Sequence, residues 1–213
     1  MIEPYDWSGG REAMLRFGPG SGPVVIAALP LFEEANRMRA FAVSILRTLA
    51  DTHGIAGVLP ELPGTGESLI PSERIAISDL RAGFAAAART AGGRAYSMGI
   101  RSGALLDGSV VIRSRWHFAP QAGDALLRAL HRLRGTDGAP GYGGHRLPDT
   151  FLDELPDCHV EPARTIRLDD DTRPADRLVP GRALWRVAAP DNDAALAATL
   201  ADDIAAWVRA CEA

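Results

Sequence analysis

The chain contains no lysine, so all 23 of its basic residues are arginines. A GC-rich genome accounts for that bias, which therefore carries little functional weight. Cysteine is scarce too: Cys158 and Cys211 are the only two, and their separation matches no metal-binding or redox spacing. The five histidines form neither an H-x-x-x-H nor an H-E-x-x-H pattern. We therefore expect no metal site, no cofactor and no structural disulfide.

Long apolar runs and basic stripes are also missing. No segment approaches the roughly 20 apolar residues that a membrane-spanning helix needs, and the stretch from Met1 to Pro4 lacks the basic start and apolar centre of a signal peptide. The formal net charge is −4, and no basic stretch is interleaved with aromatic residues, which argues against nucleic-acid binding. We expect a cytoplasmic protein without a membrane span or a nucleic-acid partner, and the sequence leaves its oligomeric state open.

What is present is the composition of a globular α/β protein, with 46% hydrophobic and 23% charged residues. We expect one domain over residues 1–213, with the glycine-rich stretch at 135–157 forming a reduced lid or excursion. Apolar runs that alternate with helical patterns predict a doubly wound, mostly parallel sheet with helices on both faces. The predicted neighbouring strands are 24–29, 55–59, 94–98 and 109–112, with an edge strand ending at 14–17 and later strands at 164–168 and 183–187.

The most informative stretch is 94–106, where an apolar run meets a Gly-x-x-x-Gly turn and a helix start rich in small residues. This is how the strand-to-helix elbow of an α/β-hydrolase is built. Glycines suit the flanking positions, Gly99 and Gly103, because the backbone bends too sharply there for a Cβ atom. In a working hydrolase the centre of the turn holds Ser, Cys or Asp. Here it holds Arg101, whose guanidinium stays protonated and cannot act as a nucleophile.

Two serines near the elbow keep an enzymatic interpretation open. Ser97 fits a small-x-Ser-x-Gly pattern, but the glycine pair at 92–93 indicates a helix end and a loop where the elbow needs a buried strand. Ser102 lies one place past the nucleophile position, where the backbone N–H usually serves as an oxyanion donor. We favour an elbow centred on Arg101 over one centred on Ser97. Both serines remain candidates, or else are ordinary small polar residues.

The acid of a catalytic triad has a candidate, but the histidine has none. In the chain order of this fold the acid follows the nucleophile and the histidine comes last. Asp170, in the run 169–171 after the predicted strand 164–168, fills the acid position. No histidine follows His159. A serine without a general base loses the roughly 10²–10⁴-fold contribution that such a base makes.

The predicted ligand pocket consists of Arg101 and Ser102 together with the loop that follows strand 24–29, which in hydrolases of this fold supplies an oxyanion donor and a pocket wall. We expect the Arg101 guanidinium to pair with a carboxylate of Glu33, Glu34 or residues 169–171, or to bind an anionic ligand. Alternatively, its aliphatic stem fills the vacated pocket. The pocket-forming residues of the loop are Leu31, Phe32, Glu33 and Glu34.

The order of these motifs resembles that of exosortase A system-associated hydrolases, most of all the second type of that family. The resemblance rests on the loop at 30–36 (Pro-Leu-Phe-Glu-Glu-Ala-Asn), the glycine-rich loop at 62–68 and the elbow at 99–106, and it covers residues 20–130 best. It implies an α/β-hydrolase-like protein associated with polysaccharide-export and protein-sorting genes, in which the catalytic serine is in doubt.

Three hypotheses about function follow. The first is a non-catalytic binding or accessory protein for surface-polysaccharide export or protein sorting, with a small anionic or acyl ligand. The second is an active serine hydrolase, an esterase or thioesterase, that uses Ser97 or Ser102 with His117 or His145. The third is an interaction protein whose pocket is vestigial.

Overall fold

The computed structural model describes residues 1–134 and 141–213, and an eight-stranded sheet forms its centre. The strands are Ile2–Trp7 (β1), Gly10–Phe17 (β2), Pro23–Ala28 (β3), Ala56–Pro60 (β4), Arg94–Ile100 (β5), Arg115–Phe118 (β6), Arg164–Leu168 (β7) and Arg177–Val179 (β8). The helices are Glu33–His53 (α1), Ile77–Ala91 (α2), Gly123–Arg132 (α3), Asp149–Glu154 (α4) and Ala194–Glu212 (α5). Within the described part of the chain, no helix combines the length and the apolarity needed to cross a membrane.

The strands lie in the order β1-β2-β4-β3-β5-β6-β7-β8. From β4 to β8 all neighbours run parallel, whereas the hairpin β1-β2 adds two antiparallel strands at one edge. Parallel strands covered on both faces consist of nearly continuous apolar residues, and five of the six residues of β3 are buried. This confirms the predicted doubly wound, mostly parallel sheet.

Helices cover both faces of the sheet, as expected. On one face α1 and α5 pack against each other and onto the sheet, through Phe41, Ile45 and Leu200 among others. On the opposite face α2 and α3 enclose a second apolar cluster, which includes Phe84 and Leu126. Both clusters reach the carboxyl ends of the parallel strands, so that edge of the sheet is held rigidly from both sides.

The predicted strand at 109–112 is wrong. The chain leaves β5 through a short 3₁₀ helix, Arg101–Leu105, and then runs as a loop until β6 begins at Arg115. A parallel crossover must carry the chain back to the amino end of the sheet before the next strand can start, and 109–112 belongs to that return. Its Val111 side chain is 97% exposed.

Two other strand predictions need correction. Residues 14–17 end β2, which is covered at the edge by β1, because the chain folds back as a hairpin. Residues 183–187 contain a 3₁₀ helix, Leu184–Arg186, and the last strand is β8. Of the expected excursion at 135–157, residues 135–140 lie outside the described residues, and α4 lies in the rest.

A buried carboxylate ties α5 to the far half of the sheet. Asp203 of α5 accepts hydrogen bonds from Trp116 Nε1 at 2.9 Å, from Nε and Nη2 of Arg164 at 2.8 Å each, and from Arg177 Nη1 at 2.9 Å. Burial alone would raise the pKa of Asp203, but the hydrogen bonds from Arg164, Trp116 and Arg177 outweigh it and hold that pKa at about 2.

We therefore predict that Asp203→Asn lowers the free energy of unfolding at pH 7 by about 1–2 kcal/mol, a value reduced for solvent screening at its half-exposed arginine partners. Because the folded-state pKa is depressed, this contribution is present above the unfolded-state pKa of about 3.9 and is lost as the pH falls toward 2. Urea unfolding across pH 2 to 7 should show the difference from wild type shrinking below pH 4. Asp51→Asn, at an exposed aspartate of α1, is the control, and a gap that stays constant with pH would contradict the prediction.

Candidate functional site

The turn after β5 is centred on Arg101, and Ser97 lies inside β5. Strand β5 ends at Ile100, and Arg101 adopts a positive φ of 54°. The flanking glycines are sterically required: a Cβ on Gly99 would lie 2.8 Å from the Cα of Ala104, and one on Gly103 would lie 2.3 Å from a carbonyl oxygen of β3. The chain thus builds the tight turn that presents a nucleophile in a hydrolase, with an arginine at its apex.

Backbone strain is concentrated at this edge of the sheet. Phe32, Arg101 and Ala119 are the non-glycine residues with positive φ in the described chain. Arg101 and Ala119 directly follow β5 and β6, and Phe32 ends the loop after β3. Each such residue costs of order 1–3 kcal/mol and persists only where its surroundings hold it in place. Residues with this strained conformation occur after three neighbouring strands, β3, β5 and β6, and they mark this edge of the sheet as the candidate site.

The Arg101 side chain is held on three sides. Its Nε and Nη2 atoms donate to the two carboxylate oxygens of Glu34 at 3.1 and 3.3 Å, and Nη1 donates to the carbonyl oxygen of Ala119 at 3.3 Å. The guanidinium carbon lies 4.7 Å from the ring centroid of Trp185, within reach of a cation–π interaction. The side chain is 11% exposed. Of the alternatives expected for Arg101, the structure shows pairing with Glu34.

The predicted acid position holds aspartates, whereas the histidine position holds another residue. Asp169 and Asp170 are exposed at the end of β7. Asp171 pairs with Arg173 and Arg167, and the hydrogen bond from Arg173 is the main cause that lowers its pKa. The segment between the last strand and the last helix, where the histidine of this fold lies, contributes the Trp185 ring that stacks on Arg101.

Ser102 is buried, and its hydroxyl lies behind the elbow. Its Oγ accepts a hydrogen bond from the backbone N–H of Leu31 at 2.9 Å, and 1% of the residue is exposed. The Leu31 amide belongs to the loop that supplies an oxyanion donor in hydrolases. Here that donor is already used within the protein.

Ser97 and His117 do not contact each other, but both contact a third residue, Asp107, which the sequence did not indicate. The Oδ2 atom of Asp107 accepts from Ser97 Oγ at 2.5 Å and lies 2.9 Å from His117 Nε2, and all three residues are fully buried. In a triad the imidazole contacts the serine directly and the carboxylate orients it from behind. Here the carboxylate stands between them, so His117 does not contact the hydroxyl it would have to activate.

His145, the other histidine considered, lies beside the loop after β3. Its ring centroid is 5.5 Å from that of Phe32, and burial lowers the pKa of His145 even though Glu33 opposes the shift. It is therefore neutral at pH 7, and its ring packs at an angle of 57° to that of Phe32.

A polar cavity of about 500 Å³ opens next to Arg101. It is lined by side chains from α3, from the segment after β7 and from the segment after β8. Its charged residues are five arginines and two aspartates: Arg101, Arg128, Arg132, Arg173, Arg186, Asp170 and Asp171. Two further polar residues, Gln121 and Thr172, line the cavity. Gln121 is 5% exposed, and its Oε1 atom has no hydrogen-bond partner in the described chain.

A second cavity of about 260 Å³ also borders Trp185. Leu31, Phe32, Glu33 and Glu34 line it, whereas Ser102 lines neither cavity. Further lining residues come from α3 and the residue directly after it, and these are mainly apolar: Leu126, Ala129, Leu130 and Leu133.

Comparison with solved structures identifies the fold. The chain is similar to the esterase domain of a Rhodothermus marinus protein, with 17% identity and a TM-score of 0.63 over 98% of this chain and 97% of that one. It is also similar to an α/β hydrolase from Sphaerobacter thermophilus, with 19% identity and a TM-score of 0.55 over 95% of this chain and 100% of that one. It also matches an epoxide hydrolase from Vigna radiata (17%, TM-score 0.45), of which it spans 39% while 55% of this chain is covered. No protein-family model and no curated protein matches the sequence. The chain therefore has the α/β-hydrolase fold.

The strained turn can be tested by comparing two substitutions of the same residue. Both Arg101→Ala and Arg101→Gly remove the pair with Glu34, but glycine accepts a positive φ without penalty. We expect Arg101→Gly to be more stable than Arg101→Ala by about 1 kcal/mol. The next residue, Ser102, lies in the 3₁₀ helix and has no positive φ. There we expect Ser102→Ala to be more stable than Ser102→Gly. Urea unfolding of the four variants measures both differences, and an alanine variant as stable as the glycine variant at 101 would contradict the strained elbow.

Proposed function

We propose that the protein is a non-catalytic member of the α/β-hydrolase fold that binds a small organic anion in the arginine-lined cavity. The observation that supports the proposal most directly is the position of Arg101 and the contacts of its guanidinium group. It occupies the apex of the elbow and is fixed by Glu34 and Trp185. A cation that is paired and stacked in this way is a structural part of the site and leaves no room for a nucleophile.

The remaining parts of hydrolytic machinery are also engaged elsewhere. The hydroxyl of Ser102 accepts the Leu31 N–H, and the hydroxyl of Ser97 donates to Asp107 inside the sheet. Asp170 has a suitable place in the chain order, but in the described residues no imidazole follows it in the chain. These contacts favour the binding hypothesis over an esterase or thioesterase.

The charge of the polar cavity favours an anion. Three of its arginines have carboxylate partners: Arg101 with Glu34, Arg128 with Asp124, and Arg173 with Asp171. No carboxylate of the described residues lies within 4.0 Å of the other two, Arg132 and Arg186. Planar guanidinium groups bind carboxylates and phosphates in a bidentate manner.

The cellular role belongs to the same proposal. We place the protein as an accessory factor in surface-polysaccharide export or protein sorting, on the likeness of the loops at 30–36 and 62–68 and of the elbow to exosortase-associated hydrolases. Genes for polysaccharide export or exosortase-type sorting next to the coding gene would support this role. A neighbourhood without them in several related genomes would count against it.

Activity-based labelling tests the loss of catalysis. A fluorophosphonate probe reacts only with an activated serine, so we expect no labelling of the folded wild-type protein under conditions that label a known serine esterase completely. Arg101→Ser should also stay unlabelled, because a hydroxyl at the apex still lacks a general base. Stoichiometric labelling of the wild type that disappears in Ser97→Ala or Ser102→Ala would falsify the non-catalytic proposal.

Thermal unfolding tests anion binding. At constant ionic strength, saturating inorganic phosphate should raise the melting temperature of the wild type by about 5 °C over chloride, the shift expected near 100-fold excess over Kd. Arg186→Gln and Arg132→Gln should lose most of that shift. Arg47→Gln changes an exposed arginine on α1 and serves as the matched control. Equal shifts in all three variants would show that phosphate acts nonspecifically.

A further inference from the structure

The two cavities at the site are neighbours of opposite character. They share three lining residues, Arg132, Trp185 and Arg186, and therefore adjoin at these side chains. The polar cavity carries the arginines. A ligand long enough to pass these side chains would contact both cavities at once.

The charged residues that line only the second cavity are paired. Glu33 pairs with Arg37 one turn along α1, and Glu34 pairs with Arg101. The remaining walls of this cavity are mainly apolar and come from the loop after β3 and from α3. Leu133, which directly follows α3, also lines the cavity and is 38% exposed, so apolar surface is open to solvent there.

Two arginines that line both cavities can still bind an anion through their guanidinium groups. Arg132 and Arg186 border both cavities, and neither is paired with a carboxylate of the described residues. Gln121 also lines the polar cavity, but its amide oxygen is buried and does not face a ligand there. Cations therefore line the polar side, and apolar residues line the adjoining cavity.

We propose that the ligand is a single-chain amphiphile. Its oxyanion head, a phosphate or a carboxylate, lies between Arg132 and Arg186 in the polar cavity, and its aliphatic chain fills the cavity between Phe32 and the apolar face of α3. This inference rests on the proposed anion binding and adds the chain. Each methylene of the chain that is buried strengthens binding about fourfold.

Titration calorimetry with four probes tests the proposal: inorganic phosphate, octyl phosphate, octanoate and the uncharged methyl octanoate, each below its micelle concentration. We expect octyl phosphate to bind at least tenfold more tightly than inorganic phosphate, and methyl octanoate to bind at least tenfold more weakly than octanoate. The stronger of octyl phosphate and octanoate identifies the head group.

Variants separate the head from the chain. Leu133→Ser should weaken octyl phosphate about fourfold while leaving inorganic phosphate unchanged, and Arg186→Gln should weaken both. Leu69→Ser, at a leucine that is 98% exposed far from these walls in sequence, is the matched control and should alter neither. Because Leu133 and Arg186 are surface residues, their replacement keeps the fold intact, which the melting temperature verifies.

The outcomes distinguish this inference from the proposal beneath it. Inorganic phosphate and octyl phosphate binding equally, or Leu133→Ser without effect, would overturn the amphiphile and leave anion binding standing. Absence of binding by all three anions would overturn both. Methyl octanoate binding as tightly as octanoate would show that the site recognises the chain alone, which also overturns the inference.

Discussion

The ion pair between Arg101 and Glu34 is the contact on which this edge of the sheet depends. Arg101 belongs to the turn after β5 and Glu34 to the first turn of α1, while Trp185, which stacks on the guanidinium, follows β8. Three segments that are distant in sequence are thereby fixed to one another at a position where the backbone is strained. The strain of a positive φ at a non-glycine residue persists because these partners hold it.

Beneath the elbow lie three buried residues of the types found in a catalytic triad, in a different arrangement. Asp107 contacts both Ser97 and His117, which do not contact each other. Their order in space makes them a structural network, in which the Asp107 carboxylate is shared by a hydroxyl and an imidazole and lies 3.5 Å from Arg115. The network connects β5, β6 and the crossover between them beneath the elbow.

The sequence was sufficient for the fold because the central strands are apolar on both faces and the turns are marked by glycines whose positions allow no side chain. It was not sufficient at 109–112, where Val110 and Val111 have strand propensity but lie on a crossover. Only the geometry of parallel pairing excludes a strand there. Pairing of Arg101 was among the alternatives considered, yet choosing Glu34 over Glu33 or the aspartates at 169–171 requires knowing the direction in which α1 leaves β3. Asp107 and Trp185 were missed because their roles arise from tertiary contacts of irregular segments.

The short crossover after β5 has an electrostatic consequence. A full-length α-helix starting at the elbow would place a dipole equivalent to about half a positive charge at its amino end. The 3₁₀ helix Arg101–Leu105 has five residues and provides far fewer aligned peptide groups. The full charge of Arg101 replaces that dipole, but Glu34 neutralises it. Attraction for anions therefore shifts outward to exposed arginine side chains, where counter-ions screen charges beyond about 10 Å at 0.1 M salt. The proposed anion binding would therefore weaken as ionic strength rises, in contrast to binding at a site built on buried peptide dipoles.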